Sequence, residues 1–309
     1  GYEVSYMNSG KMTNKGWEFR VDAVPFENRD WRVGFYFNIA HNENKITEMP
    51  DNYTEENYTF NNGEYAYRRE EGRPMGSFYG YRYKGVCQNK DATYARDADG
   101  NVMKDISGNA IVMRNGTATI APGDALYEDI NHDGVINQYD IVYLGNSNPR
   151  FTGGAGVNVS YKQFKLSAIF YGRYGQDVVN STRLNNESMR GIDNQSTAVL
   201  RRWRNEGDQT DIPRALYGEG YNTLGSDRFV EDASYLRLKS LSFNYRLPKK
   251  IIQRWGFSNI DVYVTGYNLF TWTKYTGQDP EVKTENTYAR DSATTPASIQ
   301  LVAGFNLSF

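Results

Sequence analysis

The stretch from Asp129 to Asp140 carries oxygen-bearing side chains at the spacing of a calcium-binding loop. The loop template takes its ligands from positions 1, 3, 5, 7, 9 and 12, and it has glycine at position 6 for a sharp turn, here Gly134. The expected ligands are the side chains of Asp129, Asn131, Asp133, Asn137 and Asp140 and the backbone carbonyl of Val135. We expect a structural Ca²⁺ that stiffens its loop. The alternative is an Asx-rich turn that hydrogen-bonds to itself.

Six aromatic side chains stand outside the strand-like parts of the sequence and could form a binding surface. Rings of Tyr and Trp combine a flat apolar face with a polar edge, which suits stacking on sugar rings or packing against a partner protein. The alternative is that they pack against one another inside folded loops. These residues are Tyr79, Tyr81, Tyr83, Trp203, Tyr217 and Tyr221.

The sequence offers few groups for catalysis. His41 and His132 are its two histidines, which disfavours a histidine-based site, and Cys87 has no second cysteine with which to form an internal disulfide. Paired carboxylates at 55–56 and 70–71 invite comparison with a glycosidase. Adjacent carboxylates on a loop are usually solvated charge, so we expect no enzymatic activity.

The composition is polar but rich in aromatic residues. Mean hydropathy is -0.72 and the net charge is -2, yet 15% of the residues are Phe, Trp or Tyr. A nearly neutral chain disfavours a nucleic-acid partner, which normally requires a basic surface. There is no apolar run of about 18 residues, so no transmembrane helix is expected, but barrel strands are short and alternate. The chain begins at Gly1, and we interpret it as the carboxy-terminal part of a longer protein.

The elements that would position these side chains are strands with period-two alternation. Alternation places apolar side chains on one face of a strand and polar side chains on the other. The clearest case is the end of the chain, whose apolar face would carry Leu301, Ala303, Phe305, Leu307 and Phe309. A phase break near Lys239 predicts a β-bulge. The predicted strands are 17–23, 31–42, 151–161, 165–174, 235–247, 259–272 and 298–309, with short helical segments at 197–205 and 249–255.

The connections between these strands alternate between short and long. Short turns are predicted at 25–30, 162–164 and 248–258, and long loops at 43–150, 175–234 and 273–297. Outer-membrane barrels have short periplasmic turns and long extracellular loops. We therefore predict an all-β fold, with 1–309 forming the C-terminal portion of one antiparallel transmembrane β-barrel and the three long loops lying outside the cell. The prediction contains seven strands, whereas bacterial barrels formed by a single chain have an even number. We therefore expect the strand that pairs with the last one to lie outside this chain.

Polar residues on the opposite strand faces would face a wet lumen or a plug. They include Glu18, Arg20, Asp22, Arg32, Tyr36, Lys165 and Arg173. Two other classes of protein fit parts of the pattern. One is a secreted all-β carbohydrate-binding module or hydrolase with a structural calcium loop. The other is a porin or adhesin barrel without energy coupling.

Several stretches resemble the SusC/RagA family of TonB-dependent outer-membrane transporters of the Bacteroidetes. They are Gly10–Glu18, Asp129–Asn137 leading to Leu144–Phe151, Tyr235–Leu238 leading to Asn244–Pro248, Val264–Trp272 and Asp279–Glu281. Their order and spacing match the C-terminal third of the family over nearly the whole chain. The resemblance implies that the chain is the last seven strands of a roughly 22-stranded barrel with a plugged lumen.

The resemblance also implies a function and a set of partners. The protein would import glycan or peptide fragments across the bacterial outer membrane, work with a SusD-type surface lipoprotein, and contact the TonB complex through an N-terminal part that this chain lacks. The apolar face of its barrel strands would contact outer-membrane lipid. The ending formed by Gly304, Leu307 and Phe309 resembles the signal read by the barrel-assembly machinery. The plug domain is not in this chain, so energy coupling stays open.

Overall fold

The computed structural model of the chain describes residues 10–50, 60–218, 220–285 and 288–309. Its dominant element is one sheet of seven long antiparallel strands, in which each strand pairs with the next along the chain. The strands are β1 (Lys11–Glu27), β2 (Trp31–Glu48), β3 (Phe151–Tyr161), β4 (Phe164–Tyr174), β5 (Tyr235–Arg246), β6 (Asn259–Thr273) and β7 (Gln300–Ser308). The predicted set and order of strands are confirmed. Within the described residues the sheet does not close on itself, because β1 and β7 each pair with one neighbour.

The register keeps the apolar faces of neighbouring strands aligned across the sheet. Val21 of β1 lies opposite Phe37 of β2, which lies opposite Ala155 of β3, and Ala155 in turn lies opposite Phe170 of β4. A slip of one residue would move a whole apolar set to the other face, so this alignment specifies the register. The result is one continuous apolar face with large exposed side chains, including Phe305.

The predicted bulge is present at Lys239. Leu238 pairs with Phe170 of β4, whereas Ser240 pairs with Ile169, so Lys239 is an extra residue between them. The register with β6 shifts at the same point. The extra residue restores the apolar phase of β5, which is the reason that the sequence pattern breaks there.

The first hairpin is longer than predicted. The alternation indicated 17–23 and 31–42, but β1 and β2 extend to Lys11 and Glu48, where the two side chains form an ion pair. Backbone hydrogen bonds do not depend on apolar side chains, so a hairpin can continue into water after its alternation ends. The first turn is shorter than the predicted 25–30, because β1 continues to Glu27. The turn before β6 contains a helix at Lys249–Ile252 and a 3₁₀ turn at Gln253–Trp255.

The three long loops contain their own small sheets. Their strands are Ser77–Gly80, Tyr83–Val86, Arg114–Asn115, Ala118–Thr119, Ala125–Tyr127, Val135–Ile136, Val142–Asn146, Asp177–Asn180, Val230–Asp232, Thr284–Glu285 and Tyr288–Asp291. Their helical turns are Asp91–Thr93, Gln138–Asp140, Ser181–Asn186, Thr197–Arg201 and Asp227–Phe229. The helix predicted at 197–205 ends at Arg201, because Arg202 is in an extended conformation. No helix in the described ranges is long and apolar enough to cross a membrane.

The hydrophobic core of the chain lies in the loops. One cluster joins all three of them and includes Phe78 from the first, Phe229 from the second and Tyr288 from the third. The largest cluster packs Tyr81 and Tyr127 of the first loop against Leu224 of the second. Three loops that bury shared apolar side chains behave as one folded unit, which we call the loop body.

Candidate functional site

The loop body stands at the end of the sheet where β2, β4 and β6 finish and β3, β5 and β7 begin. Ion pairs hold its segments together, one of them between two loops and another within the second loop. The guanidinium of Arg214 in the second loop donates two hydrogen bonds to the carboxylate of Asp124 in the first, at 2.8 and 3.1 Å. Within the second loop, Arg228 donates to Glu187 at 2.8 Å, and both side chains are almost fully buried. Paired charges at these depths fix the relative position of the segments that they join.

Two of the predicted binding aromatics are buried, one in the strand Ser77–Gly80 and one directly after it. Tyr79 and Tyr81 are 0% and 1% exposed. Tyr79 donates its hydroxyl hydrogen to Glu70 at 2.9 Å, and Tyr81 packs edge-on against Tyr127. A ring with no accessible face cannot stack on a sugar, so the structure corrects the prediction for these two residues. They follow the alternative interpretation, which is packing inside the loops.

Three further aromatics are partly buried by their neighbours. The hydroxyl of Tyr83 donates to the carbonyl of Asp211 at 2.8 Å, and burial raises the pKa of Tyr83 to about 12. Trp203 covers Gly123 so closely that a Cβ there would lie 2.3 Å from the ring. Tyr221 packs against an aromatic ring of the first loop.

Tyr217 is different from the other five, because 79% of its surface is exposed. It lies in the second loop, two residues from 219, which is outside the described residues. The prediction that an aromatic side chain presents a binding face therefore stays open for Tyr217 in particular.

The predicted calcium loop has most of its expected ligands close together. Asp129 accepts the backbone N–H groups of Asp133 and Gly134 at 3.2 and 2.8 Å. The amide nitrogen of Asn131 lies 3.0 Å from Asp133 Oδ2, and that of Asn137 lies 2.9 Å from the carbonyl oxygen of Val135. Gly134 has φ +80°, so position 6 uses the backbone freedom of glycine.

Asp140, at position 12, is fully buried and accepts the N–H groups of Ile130 and Asn137, both at 2.8 Å. Burial raises the pKa of this carboxyl, and the two N–H groups oppose the shift. Among the described residues, no three His, Cys, Asp or Glu side chains form a group that could hold a metal ion. Three of the six expected ligands are carboxylates, those of Asp129, Asp133 and Asp140. The Ca²⁺ prediction is neither confirmed nor contradicted.

The inward face of the sheet is polar, as predicted, and two of its glycines lie under tyrosine rings. Ser167 donates to Asn158 at 2.7 Å across β3 and β4. Gly304 of β7 pairs with Tyr263 of β6, whose hydroxyl oxygen would lie 2.7 Å from a Cβ at position 304. Gly156 is covered by Tyr36 in the same way. An aromatic ring over a glycine restores packing where the strand lacks a side chain.

The end of β7 contacts the last short turn. Leu307 pairs with Ile260 on the apolar face, and the ring of Phe309 lies 4.9 Å from that of Phe257. The proposed assembly role of Gly304, Leu307 and Phe309 is not tested by these contacts and stays a prediction.

One ion-pair cluster was not predicted from the sequence. Arg237, on the inward face of β5, contacts Asp279 and Glu281 of the third loop, and Glu281 also accepts from Lys239. The segment Asp279–Glu281 is one of the motifs that carry the family resemblance. That resemblance is the sequence signal that could have identified the cluster. We call this cluster the third-loop latch.

The carboxylate pairs considered for glycosidase chemistry do not form an acid–base site in the described residues. Glu70 accepts from Tyr79, and Glu71 accepts the backbone N–H of Met49 at 2.9 Å. The pair at 55–56 lies outside the described residues. Cys87 is buried, and burial raises the pKa of its thiol to about 11.

Comparison with known proteins gives a consistent result along the whole chain. No model of a known protein family matches it. It is 32% identical over 93% of its length to TonB-dependent receptor P3 of Formosa agariphila, and 25% identical over 98% of its length to TonB-dependent receptor SusC of Bacteroides thetaiotaomicron. It superposes over its full length on a solved structure of the RagAB peptide transporter, with a TM-score of 0.69 and 26% identity.

The chain belongs to the SusC/RagA family of TonB-dependent receptors. Members of this family are outer-membrane proteins of Gram-negative bacteria, so the apolar face of the sheet is a lipid-facing barrel wall. The family resemblance, the barrel fold and the outer-membrane location are therefore confirmed. The chain spans 27% of the length of the two receptors named above and 30% of the matched transporter chain.

Proposed function

We propose that this chain is the barrel segment of a TonB-dependent outer-membrane importer of peptide or glycan fragments that works with a SusD-type surface lipoprotein and has no enzymatic activity. The observation that carries the proposal is similarity along the whole chain to SusC and to a solved peptide transporter. Coupling to the TonB complex would pass through a part of the receptor outside this chain.

The division of the chain into two surfaces supports this role. The sheet has a polar inward face that suits a hydrated lumen. The loop body, which would lie outside the cell, is held together by a shared apolar cluster and by ion pairs. A rigid rim around a wet lumen can hold a lid protein and admit a polar cargo. A soluble carbohydrate-binding module would instead need to cover its large apolar sheet face.

Uptake assays with the full-length receptor test the proposal. Deletion of the gene should abolish uptake of labelled peptide or glycan fragments, and loss of TonB should do the same in cells with a wild-type receptor. A purified receptor that hydrolyses the fragments would refute the non-enzymatic assignment. Uptake that persists without TonB would favour an uncoupled porin.

Tyr217 is the residue to examine for contact with the lipoprotein or cargo, because it is the exposed member of the predicted aromatic set. Tyr217→Ala should reduce co-purification of the lipoprotein or lower the affinity for cargo. Tyr139→Ala is the matched control, since Tyr139 is 67% exposed on the first loop. Equal effects of the two substitutions would contradict a specific role for Tyr217.

We also propose that the loop from Asp129 to Asp140 binds Ca²⁺ and thereby stiffens the first loop. The support is the complete ligand template in the sequence, together with the left-handed backbone of Gly134 at position 6. In a loop of this kind a cation replaces weak amide contacts with ion–oxygen bonds.

Hydrogen exchange of the loop tests the calcium proposal. Amides of 129–140 should exchange more slowly with Ca²⁺ than with a chelator, and Asp133→Ala should remove the difference. The control is Asp97→Ala, because Asp97 caps an Asx turn in the same loop by accepting the N–H groups of Asp99 and Asn101. The proposal would be overturned if exchange in the wild-type loop did not change with Ca²⁺, or if the Asp133→Ala loop showed the same change as wild type.

A further inference from the structure

A groove of about 680 Å³ interrupts the lipid-facing side of the sheet. It crosses β2 to β6 near the end that carries the loop body. Its floor is formed by Gly153, Ala155 and Gly172. Its apolar walls include Phe37, Ile39, Phe151, Phe170, Leu236 and Trp272.

The floor is low because the strands approach one another closely at the two glycines. Gly153 and Gly172 are directly paired between β3 and β4. A Cβ at Gly153 would lie 2.5 Å from the backbone oxygen of Asn38, and one at Gly172 would lie 2.7 Å from that of Tyr235. Larger residues are therefore excluded at both positions, and the sheet has a strip without side chains.

Aromatic pairs form the walls on both sides of this strip. Phe151 stacks on Tyr174 with ring centroids 6.4 Å apart, and Phe170 stacks on Trp272 at the same distance. Stacked rings keep one another in place, so the groove is shaped by the fold rather than by mobile side chains. Flat rings beside a bare backbone strip suit a narrow, flexible hydrocarbon chain.

Positive charge lies at the loop end of the groove. Lys274 lines it directly, and the guanidinium of Arg150 lies 5.8 Å from the ring centroid of Phe151. Both residues are exposed. Asp232 is also at this rim, and its carboxylate accepts the N–H and the hydroxyl of Ser234. The mouth therefore pairs an apolar channel with two cationic groups.

We propose that the groove holds an acyl chain of an anionic phosphorylated lipid of the outer leaflet, with the phosphate near Arg150 and Lys274. The groove is continuous with the lipid-facing wall of an outer-membrane barrel. It lies at the end of the sheet with the long loops, which outer-membrane barrels carry outside the cell. The occupant is thus drawn from the outer leaflet. Burying hydrocarbon in the groove and pairing phosphate with two cations favours such a lipid over a neutral one.

Native mass spectrometry of the full-length receptor, titrated with lipid A, tests this proposal. Wild type should bind lipid A at least tenfold more tightly than it binds phosphatidylethanolamine. Ala155→Trp should fill the groove and weaken lipid A binding at least tenfold. Ala303→Trp is the control, because Ala303 lies on the same apolar face in β7, outside the groove.

Two further measurements test the role of the charged mouth and the possibility that a second receptor copy occupies the groove. Arg150→Gln with Lys274→Gln should remove the preference for lipid A without filling the groove, which keeps the proposal testable if Ala155→Trp fails to assemble. Equal lipid A binding by wild type and all variants would overturn it. A disulfide between two receptor copies carrying Ala155→Cys would also overturn it, because the native Cys87 is buried and the new thiol would show a second copy in the groove.

Discussion

Replacing Arg237 with Gln should release the third loop from the barrel wall. The Arg237 side chain is 3% exposed, and it donates to Thr271 Oγ1 at 2.9 Å and to Glu281 Oε2 at 2.8 Å. It also pairs with Asp279, and the carbonyl oxygen of Pro280 accepts from Gln176 at 3.1 Å. This short segment is therefore held to the sheet chiefly by one buried cation.

The expected magnitude follows from burial. Removing one partner of a buried ion pair leaves uncompensated charge and costs about 3–5 kcal/mol. If the cost falls on local opening of the third loop, it corresponds to about 100-fold or more in the opening equilibrium, since 1.36 kcal/mol is tenfold. Hydrogen exchange of amides in 279–297, measured on the receptor in detergent, reports this change directly.

Lys239→Gln is the matched control. Lys239 contacts the same Glu281 at 2.9 Å, but its side chain is 34% exposed. Exposed pairs contribute about 1 kcal/mol or less, so exchange should change by about fivefold or less. If Arg237→Gln and Lys239→Gln accelerated exchange equally, or if Arg237→Gln had no effect, the argument from burial would be wrong.

Acid should weaken the same latch. Burial alone would raise the pKa of Asp279, but the N–H groups of Ala297 and Glu281 and the Arg237 guanidinium outweigh it and lower the pKa below 3.8. A carboxyl with a lowered folded-state pKa stabilises the fold above its unfolded pKa and loses that contribution as pH falls through the folded value. Exchange in the third loop should therefore accelerate below about pH 4 and be insensitive to pH change above about pH 5, after correction for the intrinsic rate.

Three other changes have defined outcomes. Asp177→Asn should stabilise the loop body by up to about 1 kcal/mol at pH 7, because burial and the opposing Asp232 raise the Asp177 pKa. The gain in thermal stability should vanish below about pH 4, because residue 177 is then neutral in wild type as well as in the variant. Arg228→Met should destabilise the loop body by about 1.5–3 kcal/mol, because it removes one of the two arginines that pair with the buried Glu187 while Arg183 keeps its contact, and protease resistance unchanged from wild type would contradict this. Deleting Phe309 should lower the amount of receptor assembled in the outer membrane without changing cargo preference, and normal surface levels would argue against a role in assembly.

The barrel wall was predictable from local patterns. The alternation of Leu301, Ala303 and Phe305 identifies a one-sided strand without reference to any neighbour. The phase break at Lys239 likewise identifies a bulge, because only an extra residue can return the apolar side chains of β5 to one face. Such features depend on period-two geometry alone.

The loop body was not predictable in the same way. Tyr79 and Tyr81 alternate like strand residues, but their burial depends on the strand Val142–Asn146 and on Leu224, which are distant in sequence. The calcium template at Asp129 was visible because all its ligands are local. The third-loop latch was not, since Arg237 and Asp279 are brought together only by folding.

By itself, the sequence determined the seven strands, their apolar face, the sorting of short turns from long loops, and the family. These depend on backbone periodicity and on short motifs, which are local properties of the chain. Tertiary structure alone decided which aromatics are buried, which charges pair between loops, and where the glycine pair of β3 and β4 leaves a groove in the lipid-facing wall. Those outcomes require segments far apart in the sequence to meet, and no local pattern specifies such a meeting.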